Sequence, residues 1–147
     1  MSPRRAILEQ IGRYYKAVTQ ISRVLNQRIA PKLQSWPTLI YYDEDETVQP
    51  LSISAYGDTE RDMTVTTVIW VQVGPDAEKI ESDLDYYCWL IEQAMPQDMR
   101  DLKVIDIKLL STLKEAPEYD DNGQLIRLAT ATISHRVKYI TCQDETG

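Results

Sequence analysis

The feature that most constrains the fold is a run of β-branched and apolar residues, followed at once by a helical pattern. Residues 63 to 73 read Met-Thr-Val-Thr-Thr-Val-Ile-Trp-Val-Gln-Val, without Gly or Pro. Successive side chains of a strand point to opposite faces, so one face is almost wholly apolar. That face comprises Met63, Val65, Thr67, Ile69, Val71 and Val73. The other face is mixed, with Thr64, Thr66, Val68, Trp70 and Gln72. We therefore predict the central strand of a sheet here.

A helix is predicted directly after this strand. Gly74-Pro75 interrupts the strand pattern, Asp76 suits a helix N-cap, and Pro96 ends the helix. Apolar residues between them recur at the three- and four-residue spacing of one helix face: Ala77, Ile80, Leu84, Tyr87, Cys88, Ile91 and Met95. A strand that leads into such a segment predicts a helix folded back on the sheet.

The N-terminal segment carries a second helical pattern. Ser2-Pro3 is a favourable helix start, and apolar residues recur from Ile7 onward, which predicts a helix over Pro3–Ile29. So regular a stripe also suits a coiled coil. Flanking charge complementarity is not obvious, however, so an amphipathic helix lying on a sheet is favoured. Tyr15 falls on the flank of this stripe and leaves room for a partner subunit.

Four further segments have the composition of strands: Thr38–Tyr42, Leu51–Tyr56, Val104–Leu113 and Leu125–Tyr139. In the third of them, regular alternation assigns Val104 and Ile107 to opposite faces. A loop with an Asn-Gly turn is predicted over Pro117–Gly123, and residues 143–147 form a polar tail. The order is helix, three strands, helix, two strands. It predicts one α+β domain over residues 1–147, with a mainly antiparallel sheet and two helices packed on one face.

Composition restricts the classes of function. The chain has 147 residues, a formal net charge of −7 and a pI near 4.7. This acidic balance argues against tight binding of nucleic acid phosphates, which requires clustered Lys and Arg. No apolar run is long enough to cross a bilayer, and the N-terminus lacks the apolar segment of a secretory signal. Cys88 and Cys142 suit a reducing compartment better than a disulfide framework.

Residues that suit catalysis or metal binding are few. His135, the one histidine, lies in the last predicted strand, and no nucleophile is near it in the sequence. One His and two distant Cys give no metal-ligand spacing. Carboxylates are abundant, but they fall in loops or on helix faces that are expected to be solvated. We therefore expect no catalytic residue, no metal and no cofactor, and an enzyme is the weakest hypothesis.

The order of these elements resembles a known family. Its parts are a long N-terminal helix, a Pro-led strand (Trp36–Tyr42), an Arg-led strand (Arg61–Val71), a helix that opens on Asp76-Ala77-Glu78, and a closing strand (Ala129–Thr141). Together they resemble the tail terminator proteins of long-tailed bacteriophages, also called tail completion or minor tail U-like proteins. The resemblance covers about the whole chain. The acidic run Asp43–Glu46 departs from the family's pattern.

The resemblance implies a structural virion protein at the tail–neck junction, assembled in the host cytoplasm. Such a protein forms a homo-hexameric ring on the tail tube, stops polymerisation of the tube protein and joins the tail to a neck or connector protein. DNA would pass through the ring without specific binding, which the acidic balance suits, and no membrane is involved. The alternatives are another neck, connector or tail-tube subunit and, more distantly, a small-molecule-binding enzyme domain.

Under this resemblance two sets of residues are candidates for assembly. The acidic run, Asp43, Glu44, Asp45 and Glu46, would be a loop that lines the channel or docks another protein. A solvated loop on the outer rim is the other interpretation. The second set is a candidate subunit interface, since a closed ring needs two different patches on each subunit. It comprises Tyr15, Thr64, Thr66 and Trp70.

Overall fold

A computed structural model describes residues 2–31, 36–50, 58–72, 74, 76–115, 117, 121–123 and 128–142. The elements are α1 (Pro3–Lys16), β1 (Arg23–Asn26), β2 (Thr38–Pro50), β3 (Thr59–Gln72), α2 (Ala77–Ala94), a 3-10 turn (Arg100–Leu102), β4 (Val104–Glu115) and β5 (Leu128–Thr141). The predicted α+β class and the order of helices and strands are confirmed. The predicted strand Leu51–Tyr56, the tail 143–147 and part of the loop Pro117–Gly123 lie outside the described residues.

The five strands form one sheet in the order β1-β2-β3-β5-β4. β1 and β2 are parallel, and the other three pairings are antiparallel. The strand predicted to be central is β3, the middle strand of the sheet. It pairs with β5 along its whole length, from Thr59 opposite Thr141 to Gln72 opposite Leu128. The prediction of a mainly antiparallel sheet built around this strand is therefore confirmed.

One face of the sheet forms one side of the hydrophobic core. The inward residues predicted for β3 are buried from Met63 to Val71, and the residues opposite them on β5 are buried from Ala129 to Val137. Side chains of both helices join the same buried cluster: Ile7, Leu8, Ile11 and Tyr15 of α1, and Ile80, Leu84, Cys88 and Ile91 of α2. The 3.6-residue period of the helices and the two-residue period of the strands thus converge on one core.

Both helices reach the same cross-strand row. Thr67 of β3 lies opposite Ile133 of β5, which lies opposite Thr112 of β4, so the three share a face. The Tyr15 hydroxyl of α1 lies 2.8 Å from Thr67 Oγ1. Thr112 Oγ1 donates to Glu92 of α2 at 2.9 Å. α1 also contacts β1 and β2, whereas α2 contacts β5 and β4. Packing of each helix on this face along its full length stays a prediction.

α2 follows the prediction closely. The Asp76 side chain caps it by accepting from the backbone N–H groups of Glu78 at 3.0 Å and Lys79 at 3.3 Å. The helix ends at Ala94, two residues before Pro96. Leu84 and Ile91, in the middle of the predicted stripe, are fully buried. The cap, the apolar periodicity and the terminating proline all indicate the same helix, which is why the position of α2 could be predicted from the sequence.

α1 is much shorter than the predicted helix. The prediction of a helix over Pro3–Ile29 is wrong beyond Lys16, because Arg23–Asn26 forms β1 beside β2. The Val18 N–H bonds to the Tyr15 carbonyl, which tightens the last turn, and the Ser22 N–H bonds to the Pro37 carbonyl. These bonds bring the chain alongside β2. Parallel pairing of β1 with β2 then takes the place of the hydrogen bonds of a longer helix.

The alternation predicted for Val104–Leu113 is also wrong. The register between β4 and β5 shifts twice, between Val104 and Asp106 and between Leu109 and Ser111. Each extra residue reverses the side to which the following side chains point. Val104 and Ile107, predicted on opposite faces, are consequently both buried.

Candidate assembly surfaces

The acidic run belongs to a strand, so its prediction as a solvated loop is wrong. β2 continues through the run to Pro50, and its pairing with β3 shifts from Asp43 opposite Val65 to Glu46 opposite Met63. Glu44 and Asp45 of β2 thus lie opposite the single residue Thr64 of β3, which is a β-bulge. Glu44 and Asp45 in the bulge are exposed, whereas Asp43 and Glu46 are partly buried.

Glu46 is the centre of a cluster that joins four elements. Its carboxylate accepts hydrogen bonds from Arg4 of α1, Tyr139 of β5 and Arg61 of β3, the last at 3.2 Å. Burial, followed by the hydrogen bond and the charge of Glu46, raises the pKa of Tyr139 to about 12. The Glu46 side chain is only 10% exposed. Its charge is therefore directed into the subunit and compensated there.

Asp43 is likewise paired. Its carboxylate lies 3.3 Å from Arg28 Nη2 and 3.9 Å from Arg4 Nε. Only Glu44 and Asp45 of the acidic run therefore present exposed carboxylates. A role of the run in a channel or a docking contact stays a prediction, and it now depends on these two residues.

Tyr15 lies inside the subunit, so it does not offer the exposed contact expected of it. Its side chain is fully buried, and burial raises the pKa of its phenol well above the usual value. The ring packs edge-on against Tyr41, with centroids 5.7 Å apart. Gly12 allows this approach of helix and strand, because a Cβ at that position would overlap the Tyr41 hydroxyl.

Thr64, Thr66 and Trp70 share the sheet face opposite to the core, as predicted. They lie opposite Arg136, Ser134 and Thr130 of β5, which makes this face rich in hydroxyl groups. Thr66 is 4% exposed, while Thr64 and Trp70 are half-buried. Their role in a subunit interface stays a prediction.

The most conspicuous surface was missed by sequence reasoning. It lies along β4, an edge strand, and the neighbouring exposed side of α2, and we call it the apolar edge. Its members are Tyr86, Trp89, Leu109, Leu110 and Leu113, with Trp89 54% and Leu113 58% exposed. Leu113 follows Thr112, which bonds to α2, so Leu113 lies on the other face of the edge strand. Leu109-Leu110 was an available signal, since adjacent strand residues point to opposite faces and one of the two must leave the core.

Polar contacts hold α2 beside β4. Lys114 Nζ bonds to Asp85, and Lys114 also lies 3.4 Å from Glu81. Thr112, two residues before Lys114 on the same face of β4, bonds to Glu92. Tyr86 directly follows Asp85, and Trp89 lies between Asp85 and Glu92 along the helix. The aromatic side chains of α2 and the leucines of β4 thus occur on two elements that are tied together.

His135 and Cys88, two of the groups that sequence reasoning examined for chemistry, are buried. His135 is 2% exposed, and burial lowers its pKa to about 4, so it is neutral at pH 7. Burial is also the main cause that raises the pKa of the Cys88 thiol to about 11. Over the part of the chain that the structure describes, no three His, Cys, Asp or Glu residues are grouped to hold a metal ion. Nor does a helix of that part have the length and apolar character to cross a membrane.

A hollow of about 350 Å³ lies between α1 and the 3-10 turn. It is lined by Gln10, Tyr14, Asp98, Met99, Arg100, Asp101 and Leu102. Asp98 and Arg100 form an ion pair at its rim, and Arg100 and Asp101 are exposed. The hollow therefore offers surface charges, without the buried converging groups typical of a small-molecule site.

No family model matches the chain, and the search of curated proteins finds no similar one.

Proposed function

We propose that the protein is a structural subunit that joins copies of itself into a closed ring, in the manner of a bacteriophage tail terminator. The apolar edge is the observation that carries the proposal. An edge strand with exposed leucines, next to an exposed Trp and Tyr, is a surface that soluble proteins usually cover with a partner. Aromatic side chains are also the residues most enriched at the centres of interfaces.

A closed ring fits this subunit because its two sheet edges differ. β4 has 12 residues and carries exposed leucines, whereas β1 has four residues and lies beside α1. A ring is built from heterologous contacts, in which two different patches of neighbouring subunits meet. The ring of six, the tail tube and the neck or connector protein follow from the family resemblance.

The path of β2 favours a terminator over a tail-tube subunit. Tube subunits usually stack through a long loop, for which the sequence offers two rather short stretches, residues 43–50 and 114–124. In the structure residues 43–50 belong to β2 and pair with β3. The tube or connector subunit remains the alternative, and it is separated from the terminator by what the ring binds.

The test is the assembly state of the purified protein, alone and with purified tail tubes. Native mass spectrometry and negative-stain microscopy are expected to show a ring, most simply of six, at the end of each tube. Leu110→Gln with Leu113→Gln is expected to prevent the ring, while Val48→Gln, at an exposed β2 position, is expected to leave it intact.

Other outcomes separate the alternatives. A protein that stays monomeric in both settings contradicts the ring. An open filament indicates a tube subunit, and a ring that binds connectors but no tube ends indicates a different neck protein.

A further inference from the structure

We infer that neighbouring copies join head to tail, with the acidic α2–β4 side of one subunit against the basic α1–β1 side of the next. The inference rests on the proposed ring and identifies the two surfaces that would meet in it. The observation behind this inference is that two helices of opposite charge lie toward opposite edges of one sheet.

The first surface is the exposed side of α2 with the outer edge of β4, and it is acidic. Within Ala77–Ala94, five acidic side chains stand against one basic one, and Val104–Glu115 of β4 adds two of each sign. Glu78, Glu81 and Asp85 are exposed. Asp85 lies four residues before Trp89, and residues so spaced are neighbours on a helix surface. Lys114 of β4 pairs with Asp85 and Glu81, so the remaining negative charge of this surface comes from the excess of acidic over basic residues in α2.

The second surface is the exposed side of α1 with β1, and it is basic. Within Pro3–Asn26, five basic side chains stand against one acidic one. Arg5, Arg13 and Lys16 are exposed, and their spacing of eight and three residues aligns them along one side of α1. Arg5 and Arg13 donate to neutral oxygens, those of Asn26 and Gln10, so these bonds do not neutralise their charges.

The two surfaces lie toward opposite edges of the sheet. α1 contacts β1 and β2, α2 contacts β5 and β4, and β1 and β4 are the outermost strands. Each subunit therefore carries opposite charges toward its two edges. This arrangement orients one copy against the next, since complementary potentials favour the correct partner surface and suppress the wrong one.

Charge also decides between the two ways in which identical subunits associate. A two-fold dimer through the apolar edge would place α2 near a second α2, with acidic side chains within about one Debye length, roughly 8 Å at physiological salt. Head-to-tail contact instead places them near Arg5, Arg13 and Lys16. Ile29, which follows β1 and is 79% exposed, supplies an apolar group on the basic side. The second copy of this chain is thus the occupant that the apolar edge fits.

The test uses two variants, each of which damages one surface. Trp89→Ser with Leu113→Ser removes apolar contacts from the first surface. Arg13→Glu with Lys16→Glu reverses charge on the second. All four side chains are exposed, so the fold is expected to persist, and circular dichroism checks it. Val48→Ser serves as the control at an exposed position outside both surfaces.

Native mass spectrometry is carried out under conditions in which the unmodified protein forms rings, with tail tubes added where those are needed. Each variant alone is expected to be monomeric. An equal mixture is expected to form dimers and nothing larger, because one intact surface of each kind is available. The control is expected to form the full ring.

The failures are distinguishable. Rings from either variant, a mixture that stays monomeric, or a dimer formed by the Arg13→Glu, Lys16→Glu protein alone would overturn the head-to-tail assignment and leave the ring proposal standing. An unmodified protein that is monomeric at all concentrations, with and without tubes, overturns both.

Discussion

His135 occupies an inward position of β5, with Val65 and Leu109 on the neighbouring strands opposite it. Its Nδ1 is buried and has no hydrogen-bond partner within the described residues. The desolvation that results disfavours the charged imidazolium, which is why the pKa is lowered to about 4. In the unfolded chain the pKa returns to about 6.5, so the unfolded state binds more protons between these two values.

The subunit is therefore expected to lose stability as the pH falls from about 6.5 toward 4. Between pH 7 and pH 5 the loss from His135 is about 2 kcal/mol. Urea unfolding of the unmodified protein and of His135→Gln, measured at pH 7, 6 and 5, checks this. Carboxylates titrate in both proteins, so the difference between the two curves isolates the imidazole. Parallel curves would contradict the assignment.

Glu46 and Glu44 provide a matched pair of substitutions two residues apart. Glu46→Gln removes the charge that Arg4 and Arg61 share, and leaves two guanidinium groups without that partner. Because both arginines are partly exposed, water offsets some of the loss, and we expect about 1–3 kcal/mol of destabilisation. Glu44→Gln, in the exposed bulge, is expected to change stability by less than about 0.5 kcal/mol. Thermal unfolding compares them, and equal effects would remove the distinction between paired and exposed acids.

Among the helices and strands, those whose form depends on neighbouring residues in the sequence could be predicted. α2 was predictable because its cap, stripe and terminating proline are all local. β1 was not, because over four residues the apolar spacing of Val24 and Leu25 suits a strand as well as a helix, and pairing with β2 decided the outcome. The bulges in β2 and β4 were invisible for the same reason, since register is a property of two strands together.

A set of substitutions tests which side of α2 faces the core, that is, the phase of the helix. Leu84→Ala or Ile91→Ala is expected to lower the free energy of unfolding by about 2–5 kcal/mol, because both side chains are fully buried and would leave cavities. Glu81→Ala is expected to cost less than about 0.5 kcal/mol, since its contact with Lys114 lies at the surface. Chemical denaturation distinguishes the two classes, and similar losses at all three positions would show that the phase of α2 is wrong.

For the whole molecule, the candidate site was the least predictable part. The acidic run was identified by composition, but composition does not reveal that Arg4 and Arg61 would neutralise Glu46 from α1 and β3. The apolar edge was missed because its two elements meet only in the folded chain. What the sequence did indicate, apolar and aromatic residues on both faces of the central strand, agrees with the proposed assembly role.

The acidic run can be tested within the proposed ring by Glu44→Gln with Asp45→Asn. We expect a normal yield of assembled particles and an unchanged rate of DNA ejection, because each subunit loses two exposed charges that the structure keeps apart from the Arg4 cluster. Slower or salt-sensitive ejection would place the bulge in the channel. Lost assembly would make it a docking contact.

The full-length pairing of β3 with β5 also governs how the subunit comes to be folded during synthesis. Thr59 and Thr141, which bond to each other at one end of this pairing, are 82 residues apart in the chain. At a translation rate of about 5–20 residues per second, the segment from Gln72 to Thr141 takes about 3–14 s to emerge. During that interval β3, the strand richest in β-branched residues, lacks its second neighbour and can pair with other nascent chains. Contacts so distant in sequence also fold slowly, so aggregation competes with folding until β5 is complete.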